Sequence, residues 1–147
     1  MDRILSQGPT RMTNFRVIDF DVQGDSRGNL ISLESGINIP FDIKRVYYIF
    51  STKAGVSRGL HAHKSLEQVL VAVSGSCKMT LDDGESKAEI SLNANEFGLY
   101  VGNKVWREMY DFSPDCVLMV LASDMYRESD YIRDYKDFIR YLKDQTV

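Results

Sequence analysis

The sequence predicts an all-β domain, a sandwich or barrel of short strands with an α-helix packed outside it at the C-terminal end. Segments rich in β-branched and aromatic residues recur at intervals of about ten residues, the spacing typical of this class. Turn signals such as Asp82-Asp83-Gly84 and Ser113-Pro114-Asp115 separate these segments. Only the last part of the chain changes to helical periodicity, so the sequence predicts a single helix.

The first half of the chain supplies four predicted strands. Residues 15–20 are rich in apolar side chains, and residues 29–34 alternate after a polar loop at 21–28. Residues 44–50 combine β-branched and aromatic side chains, which fit a pleated surface. The polar loop at 51–55 then leads into a strand that carries both histidines of the chain.

The second half continues with short strands between turns. The run at 67–73, apolar from Val69 onward, ends at the Gly75 turn, and alternation then predicts further strands. Residues 116–122 are apolar almost throughout, which favours a fully buried strand. The strands predicted after Gly75 are 77–81, 88–92, 97–101, 105–110 and 116–122.

The ends of the chain differ from its middle. We expect Ser129 or Asp130 to cap a helix in which Tyr131, Tyr135, Phe138 and Leu142 share one face. This aromatic stripe is best explained by packing against the barrel. Residues 1–13 are expected to form a disordered leader, and residues 14–147 a single domain, which is a length able to enclose a core.

Composition excludes several classes of function. The 147-residue chain has a formal net charge of −3 and no block of five basic residues, so a nucleic-acid polymer is not an expected partner. No apolar stretch has the length of a membrane span, and the first 13 residues lack the apolar segment of a signal peptide. Cys77 and Cys116 are too few for a disulfide framework, so we expect free buried thiols and a cytoplasmic protein.

The candidate site is centred on Arg58-Gly59-Leu60-His61-Ala62-His63, which contains the only two histidines of the chain. Side chains two apart in a strand leave the same face, so His61 and His63 are expected to point together. Three interpretations compete. The pair has no role, it binds a metal together with Glu67, or it performs acid/base chemistry near neutral pH.

The pattern Gly55-x5-His61-x-His63-x3-Glu67 resembles the first motif of the cupin superfamily, whose members are jelly-roll barrels. The second cupin motif usually supplies another histidine to a metal site. The corresponding residues 98–108 contain none, and His61, His63 and Glu67 alone are short of ligands for tight zinc binding. A two-histidine, one-carboxylate iron site is still chemically possible, so a metal-dependent cupin is the second hypothesis.

Within the cupins, the chain is similar to the nucleotide-sugar 3,4-ketoisomerases that act on dTDP-4-keto-6-deoxyglucose. The similarity extends from about residue 15 to about residue 141 and consists of several blocks in the same order. These blocks are residues 44–50, 58–64, 66–71, 81–84, 98–102, 106–109, 111–113 and 120–124.

The resemblance implies an isomerase that uses neither metal nor cofactor. A base removes the C3 proton of the sugar to give a 3,4-enediol, and a proton returned at C4 leaves the ketone at C3. The product would serve the biosynthesis of 3-amino-3,6-dideoxy sugars for surface glycans. A non-catalytic nucleotide-sugar binder is the third hypothesis.

The resemblance also assigns residues to roles. It implies that His61 is the base at C3 with His63 in the same pocket, and which of the two returns the proton is open. The chemistry itself makes Arg58 and a tyrosine candidates to stabilise the enediolate oxygen. Tyr47 is that tyrosine if the resemblance places its strand in the site correctly, and a core or interface aromatic is the alternative. Glu67 orients a histidine, lines the pocket, or is a partly buried polar residue that only holds a hydrogen bond.

The resemblance places Arg27 and Arg107 near the hexose. Relatives have tyrosine or arginine at the first position and arginine or histidine at the second, and this chain has arginine at both. The configuration of the product at C4, gluco or galacto, and the arginine that binds the diphosphate are therefore both open. Related proteins are dimers in which N-terminal strands pair with the partner's sheet, so a homodimer with strand exchange through residues 15–20 is expected.

Overall fold

The computed structural model of the protein describes residues 4–7 and 14–145. In these ranges, thirteen strands are followed by one α-helix. The strands are β1 (Ile4–Gln7), β2 (Phe15–Asp19), β3 (Gln23–Asp25), β4 (Gly28–Leu30), β5 (Arg45–Phe50), β6 (Arg58–His63), β7 (Gln68–Ser74), β8 (Cys77–Asp82), β9 (Lys87–Leu92), β10 (Phe97–Val101), β11 (Trp106–Tyr110), β12 (Val117–Ala122) and β13 (Tyr131–Ile132). A short 3-10 helix (Glu128–Asp130) precedes β13, and the α-helix α1 spans Tyr135–Gln145.

Two antiparallel sheets form the barrel. One has the strand order β1-β9-β8-β11-β6-β13, and the other has the order β2-β10-β7-β12-β5. The main core lies between them, where the inward side chains of both sheets, such as Met79, Leu99 and Val120, are buried completely. The predicted all-β jelly-roll barrel is therefore confirmed, as is its helix on the outside.

A second core covers the outer face of the five-stranded sheet. Phe20, Ile39 and Phe41 pack there against apolar side chains of β7 and β12. The prediction of a strand over residues 29–34 is wrong, because β4 ends at Leu30 and forms a hairpin with β3. Ile31 and Leu33 belong to this second core instead. Their alternation with polar residues therefore reflects side chains packed on the face of the five-stranded sheet, and not a strand that pairs with other strands.

The C-terminal helix begins later than the sequence suggested. Asp134 caps it, because the Asp134 side chain accepts a hydrogen bond from the backbone N–H of Asp137 at 3.1 Å. Phe138 is fully buried against the barrel at the face that includes Trp106. The prediction that Ser129 or Asp130 caps the helix is wrong, and Tyr131 lies in β13, where it pairs with His63 of β6.

The N-terminal region is described in part. Of the expected disordered leader, Ile4–Gln7 is described as a strand antiparallel to β9, which differs from that expectation, whereas residues 1–3 and 8–13 lie outside the described residues. Strand β2 pairs with β10 of the same chain. No helix within residues 4–7 and 14–145 is long and apolar enough to cross a bilayer.

Candidate active site

The two histidines lie side by side on β6. Their ring centroids are 4.7 Å apart, and the rings meet edge to face at 81°. Tyr131 on the neighbouring strand β13 completes a cluster, with ring centroids 4.9 Å from His61 and 4.4 Å from His63. The alternation of side chains along a strand therefore brings both imidazoles to one face, as the sequence predicted.

A bulge at Gly59 sets the start of this strand. The pairing of β6 with β11 shifts between His61 and Arg58, and Gly59 has a φ of +69°. A Cβ on Gly59 would lie 2.5 Å from the terminal methyl carbon of Met109, a flexible side chain that could move aside, so it is the positive φ that favours glycine here. The bulge leaves the Arg58 side chain exposed at the mouth of the site.

The carboxylate of Asp130 contacts the imidazole of His63 and orients it. The Oδ2 atom of Asp130 lies 3.2 Å from Nδ1 of His63 and also accepts from the backbone N–H of Leu66 at 3.2 Å. Its Oδ1 atom accepts from the backbone N–H of Ser65 at 2.9 Å. An ionised carboxylate only accepts hydrogen bonds, so the proton of a neutral His63 is on Nδ1. The Nε2 atom of His63 is buried and has no hydrogen-bond partner among the described residues.

Both imidazoles are neutral at physiological pH. Burial, followed by the positive charge of Arg107, lowers the pKa of His61 to about 3. The same two causes lower the pKa of His63 to about 2, with a smaller contribution from His61. The site therefore presents two unprotonated bases before any anionic ligand arrives.

Arg107 is the buried charge behind these shifts. It stands opposite His61 in the pairing of β11 with β6 and is only 1% exposed. No carboxylate forms an ion pair with it in the described part of the chain; it donates instead to the backbone oxygen of Val105 at 3.2 Å and to Oε1 of Gln68 at 2.5 Å. Burial lowers the pKa of Arg107 to about 10, which keeps it charged near neutral pH. An unpaired buried charge is costly to maintain, which is typical of a functional site.

Gln68 links Arg107 to Tyr47. The Nε2 atom of Gln68 donates to the hydroxyl oxygen of Tyr47 at 3.0 Å, and Gln68 is 2% exposed. Burial raises the pKa of Tyr47, so its hydroxyl keeps its proton at neutral pH. Tyr47 is thus a neutral hydrogen-bond donor beside the histidines.

An open cavity of about 710 Å³ lies in front of these groups. This volume is within the range of small-molecule sites. The side chains at its wall combine an imidazole base, phenols and several cations with apolar surface. Among them are Arg45, Tyr47, Arg58, His61, Tyr131 and Arg133.

The structure brings together five of the seven residues that the sequence suggested. His61, Tyr47 and Arg58 line the cavity, while His63 and Arg107 lie directly behind its wall. Arg27 and Glu67 lie away from the histidines.

Arg27 lies at the tip of the hairpin β3–β4. Its side chain is 89% exposed and forms an ion pair with Asp25 at 2.6 Å. The hairpin surrounds a separate surface depression that contains none of the histidine-site residues. A role for Arg27 in substrate binding stays a prediction.

Glu67 points to the other face of the five-stranded sheet. Its carboxylate accepts a hydrogen bond from the hydroxyl of Tyr100 at 2.5 Å, and Tyr100 packs in the second core. Gln68, the next residue along the chain, takes the inward position. In the described part of the chain, no group of three or more His, Cys, Asp and Glu side chains is placed to hold a metal ion.

Comparison with known proteins identifies the family. Residues 13–143 match the family described as FdtA: WxcM-like, C-terminal. This chain belongs to the FdtA family. It is 59% identical over 127 residues to a protein of Aneurinibacillus thermoaerophilus named TDP-4-oxo-6-deoxy-alpha-D-glucose-3,4-oxoisomerase, a match that covers 86% of this chain and 91% of that protein.

Solved structures of similar proteins agree with this assignment. A 3,4-ketoisomerase from Helicobacter canadensis is 49% identical, with a TM-score of 0.86, over 88% of this chain and 98% of that one. QdtA from Thermoanaerobacterium thermosaccharolyticum, a sugar 3,4-ketoisomerase in complex with TDP, is 46% identical, with a TM-score of 0.88, over 92% of this chain and 99% of that one. The resemblance to 3,4-ketoisomerases in the sequence is therefore confirmed.

Sequence reasoning missed three residues of this FdtA-family site: Gln68, Asp130 and Tyr131. The sequence suggests Asp130 as a helix cap because of its side chain, and it suggests Tyr131 as a helical residue because its spacing to later aromatic residues fits helical periodicity. One available signal was the polar Gln68 at the head of the apolar run 69–73, since a polar side chain buried in a core requires partners.

Proposed function

We propose that this chain is a sugar-nucleotide 3,4-ketoisomerase that converts dTDP-4-keto-6-deoxy-D-glucose to a dTDP-3-keto-6-deoxyhexose through a 3,4-enediol. One observation carries the proposal: a neutral His61 lines an open cavity beside Tyr47, with the buried charge of Arg107 behind it. The 59% identity to a protein named as a 3,4-oxoisomerase supplies the substrate class.

His61 is the proposed base at C3. Proton abstraction requires an unprotonated imidazole, and burial together with Arg107 keeps His61 in that form. His61 lines the cavity, whereas His63 is fully buried behind it, which favours direct contact of His61 with the sugar. The diphosphate of the substrate carries negative charge, which raises the pKa of His61 toward the range useful for catalysis.

The second requirement is stabilisation of the enediolate. When the C3 proton leaves, the electron pair forms a C3–C4 double bond and negative charge develops on the oxygen at C4. Tyr47 has a protonated hydroxyl and Arg58 a fixed positive charge, and both line the cavity. Removing one preorganised donor of this kind typically costs about 10²–10³-fold in kcat.

The reaction is completed by proton movements alone. The oxygen at C4 gains a proton to give the neutral enediol, the hydroxyl at C3 loses one, and C4 is protonated as the C3 ketone forms. No electrons leave the sugar, so no external oxidant is required. His61, protonated in the first step, and His63 behind it are the proposed sources of the proton at C4.

Separate cations are proposed for the two ends of the substrate. Arg107 is buried under His61, so its charge acts on the sugar end of the site. The exposed guanidinium group of Arg58 lines the cavity, and its forked donors suit a diphosphate. Arg133 also lines the cavity, but its guanidinium donates to both carboxylate oxygens of Glu128 at 2.9 Å. Arg27 would contribute only from the hairpin tip, where it is paired with Asp25.

Conversion of purified substrate tests the proposal. We expect the protein, treated with EDTA, to convert dTDP-4-keto-6-deoxyglucose to a 3-keto product that NMR identifies, and we expect the His61→Asn variant to lose this activity. Activity lost on chelation, with one metal ion per chain by elemental analysis, would favour a metal-dependent cupin. Tight binding of the sugar nucleotide without any product would favour a non-catalytic binder.

We also infer that the protein is a homodimer. β5 is the edge strand of its sheet, and it exposes Val46, Tyr48 and Phe50, with Tyr48 and Phe50 64% and 59% exposed. An apolar edge strand gains stability when another chain covers it. Strand exchange through the N-terminal region stays part of this inference, and light scattering at several protein concentrations tests the dimer.

The proposed cellular setting follows from the same chemistry. The 3-keto sugar is the substrate form that an aminotransferase would accept, which fits a role in making 3-amino-3,6-dideoxy sugars for surface glycans. Cys77 and Cys116 are buried free thiols, as a cytoplasmic protein keeps them.

A further inference from the structure

Gln68 is a buried amide placed between a cation and a phenol. It opens β7, where its neighbours in the sheet are Val101 of β10 and Ala122 of β12, and its side chain turns into the barrel. Only 2% of Gln68 is exposed to solvent. A buried polar side chain in the centre of a sheet must satisfy both ends of its amide.

The chemistry of its partners fixes the orientation of this amide. A guanidinium has donors and no acceptor, so Arg107 must face the oxygen of the amide. The contact of the Arg107 Nη1 atom with the Oε1 atom at 2.5 Å agrees with this requirement. The nitrogen of the amide is then left facing Tyr47, and it donates to the hydroxyl oxygen at 3.0 Å.

The direction of the next hydrogen bond follows from this one. Because the Tyr47 oxygen accepts from Gln68, its own O–H proton must be donated elsewhere. Among the described residues, no acceptor forms a hydrogen bond with the Tyr47 hydroxyl, and Tyr47 lines the cavity in front of His61. The free proton is therefore available to a ligand in that cavity.

We propose that Gln68 is a positioning residue that directs the Tyr47 hydroxyl proton toward the carbonyl oxygen of the bound 4-keto sugar. The inference rests on the proposed function for its substrate. Arg107 orients Gln68, Gln68 orients Tyr47, and Tyr47 donates to the oxygen on which negative charge develops. The arrangement is set before the substrate binds, which is the condition under which such a donor is most effective.

Gln68→Glu reverses this direction with little change of shape. A carboxylate accepts from Arg107 and also accepts from Tyr47, so the Tyr47 proton turns away from the cavity. We expect kcat to fall on the order of 10²-fold while KM changes little, because the lost hydrogen bond strengthens as charge develops. Gln145→Glu, the same chemical change at an exposed residue at the end of α1, should leave kcat unchanged.

A double-mutant cycle separates this role from a general effect of charge. In a Tyr47→Phe background there is no proton to redirect, so Gln68→Glu should cost less than about threefold in kcat. If Gln68→Glu costs as much with phenylalanine at position 47 as with tyrosine, Gln68 does not act through Tyr47 and the inference is overturned.

The carbonyl stretch of bound substrate gives a readout that does not depend on turnover. In a His61→Asn background, ¹³C-edited infrared difference spectra of substrate labelled at C4 should show a hydrogen-bonded carbonyl. Adding Gln68→Glu should shift the band to higher frequency, to the position found with Tyr47→Phe. An unshifted band overturns the role of Gln68, whereas a wild-type protein that forms no product from the same substrate overturns the proposed function instead.

A second variant covers the case in which the carboxylate prevents folding. Gln68→Met keeps the volume of the side chain and removes both of its hydrogen bonds without adding charge. Residue 68 then neither directs the Tyr47 proton toward the cavity nor accepts it. We expect a loss of kcat smaller than that of Tyr47→Phe and a carbonyl band between those of the wild-type and Tyr47→Phe proteins. A Gln68→Met protein with the wild-type kcat and the wild-type band overturns the inference.

Discussion

Stability should fall steeply between pH 7 and pH 5, because folding buries both histidines in their neutral form. The pKa of His61 is about 3 and that of His63 about 2 in the folded chain, whereas an unfolded histidine has a pKa of 6.5. At any pH between these values the unfolded chain binds more protons than the folded one. Stability is therefore fully present above pH 6.5 and is lost as the pH falls.

The size of the effect follows from the same pKa values. At pH 5 an unfolded histidine is almost fully protonated and the folded one is not, which costs about 2 kcal/mol per residue relative to pH 7. The two histidines together predict a loss of about 4 kcal/mol. Both folded pKa values lie well below 5, so the pKa in the unfolded chain sets this loss.

Urea denaturation at fixed protein concentration measures the effect. The chain has only two histidines, and its carboxylates titrate mainly below this window, so the signal is specific. Each of the variants His61→Asn and His63→Asn should remove about half of the pH dependence, whatever its stability at pH 7. Equal stability of the wild-type protein at pH 7 and pH 5 would refute the argument that both rings are buried and neutral.

Three further predictions concern single residues. His61→Asn should lower kcat by about 10²–10⁴-fold in an NMR assay of product formation, and an unchanged kcat would contradict its role as base. Asp130→Ala removes the acceptor that fixes the His63 proton on Nδ1, so the ¹⁵N spectrum of the two imidazoles should show an increased share of the Nε2–H tautomer, and an unchanged tautomer would contradict the contact with Asp130. Phe138→Ala should destabilise the protein by about 3–5 kcal/mol in urea, because Phe138 is fully buried between the helix and the barrel, and a loss under 1 kcal/mol would contradict that packing.

The sequence was most informative where one local rule decided the outcome. Alternation along a strand placed His61 and His63 on one face without knowledge of any neighbouring strand. The same rule could not predict the orientation of Glu67 and Gln68, because the chain turns at residues 64–66 before β7 begins. That turn gives the inward position to Gln68 rather than Glu67.

The errors at the C-terminal end have a different cause. Tyr131 has a helical spacing to Tyr135, but Asp134 caps α1 and β6 offers an edge to which Tyr131 and Ile132 can pair. Tertiary pairing thus overrides a periodicity that is correct only for the later part of the segment. No local pattern indicates that Asp130 contacts His63, a residue 67 positions away in the chain.

Incubation with dTDP-4-keto-6-deoxyglucose in D2O tests the central claim most directly. If His61 takes the proton from C3 and a proton returns at C4, NMR should show a 3-keto product with deuterium at C4. Recovery of unchanged substrate would contradict the claim. A 3-keto product without deuterium at C4, in both the wild-type and the Tyr47→Phe protein, would also contradict proton transfer by an exchangeable base.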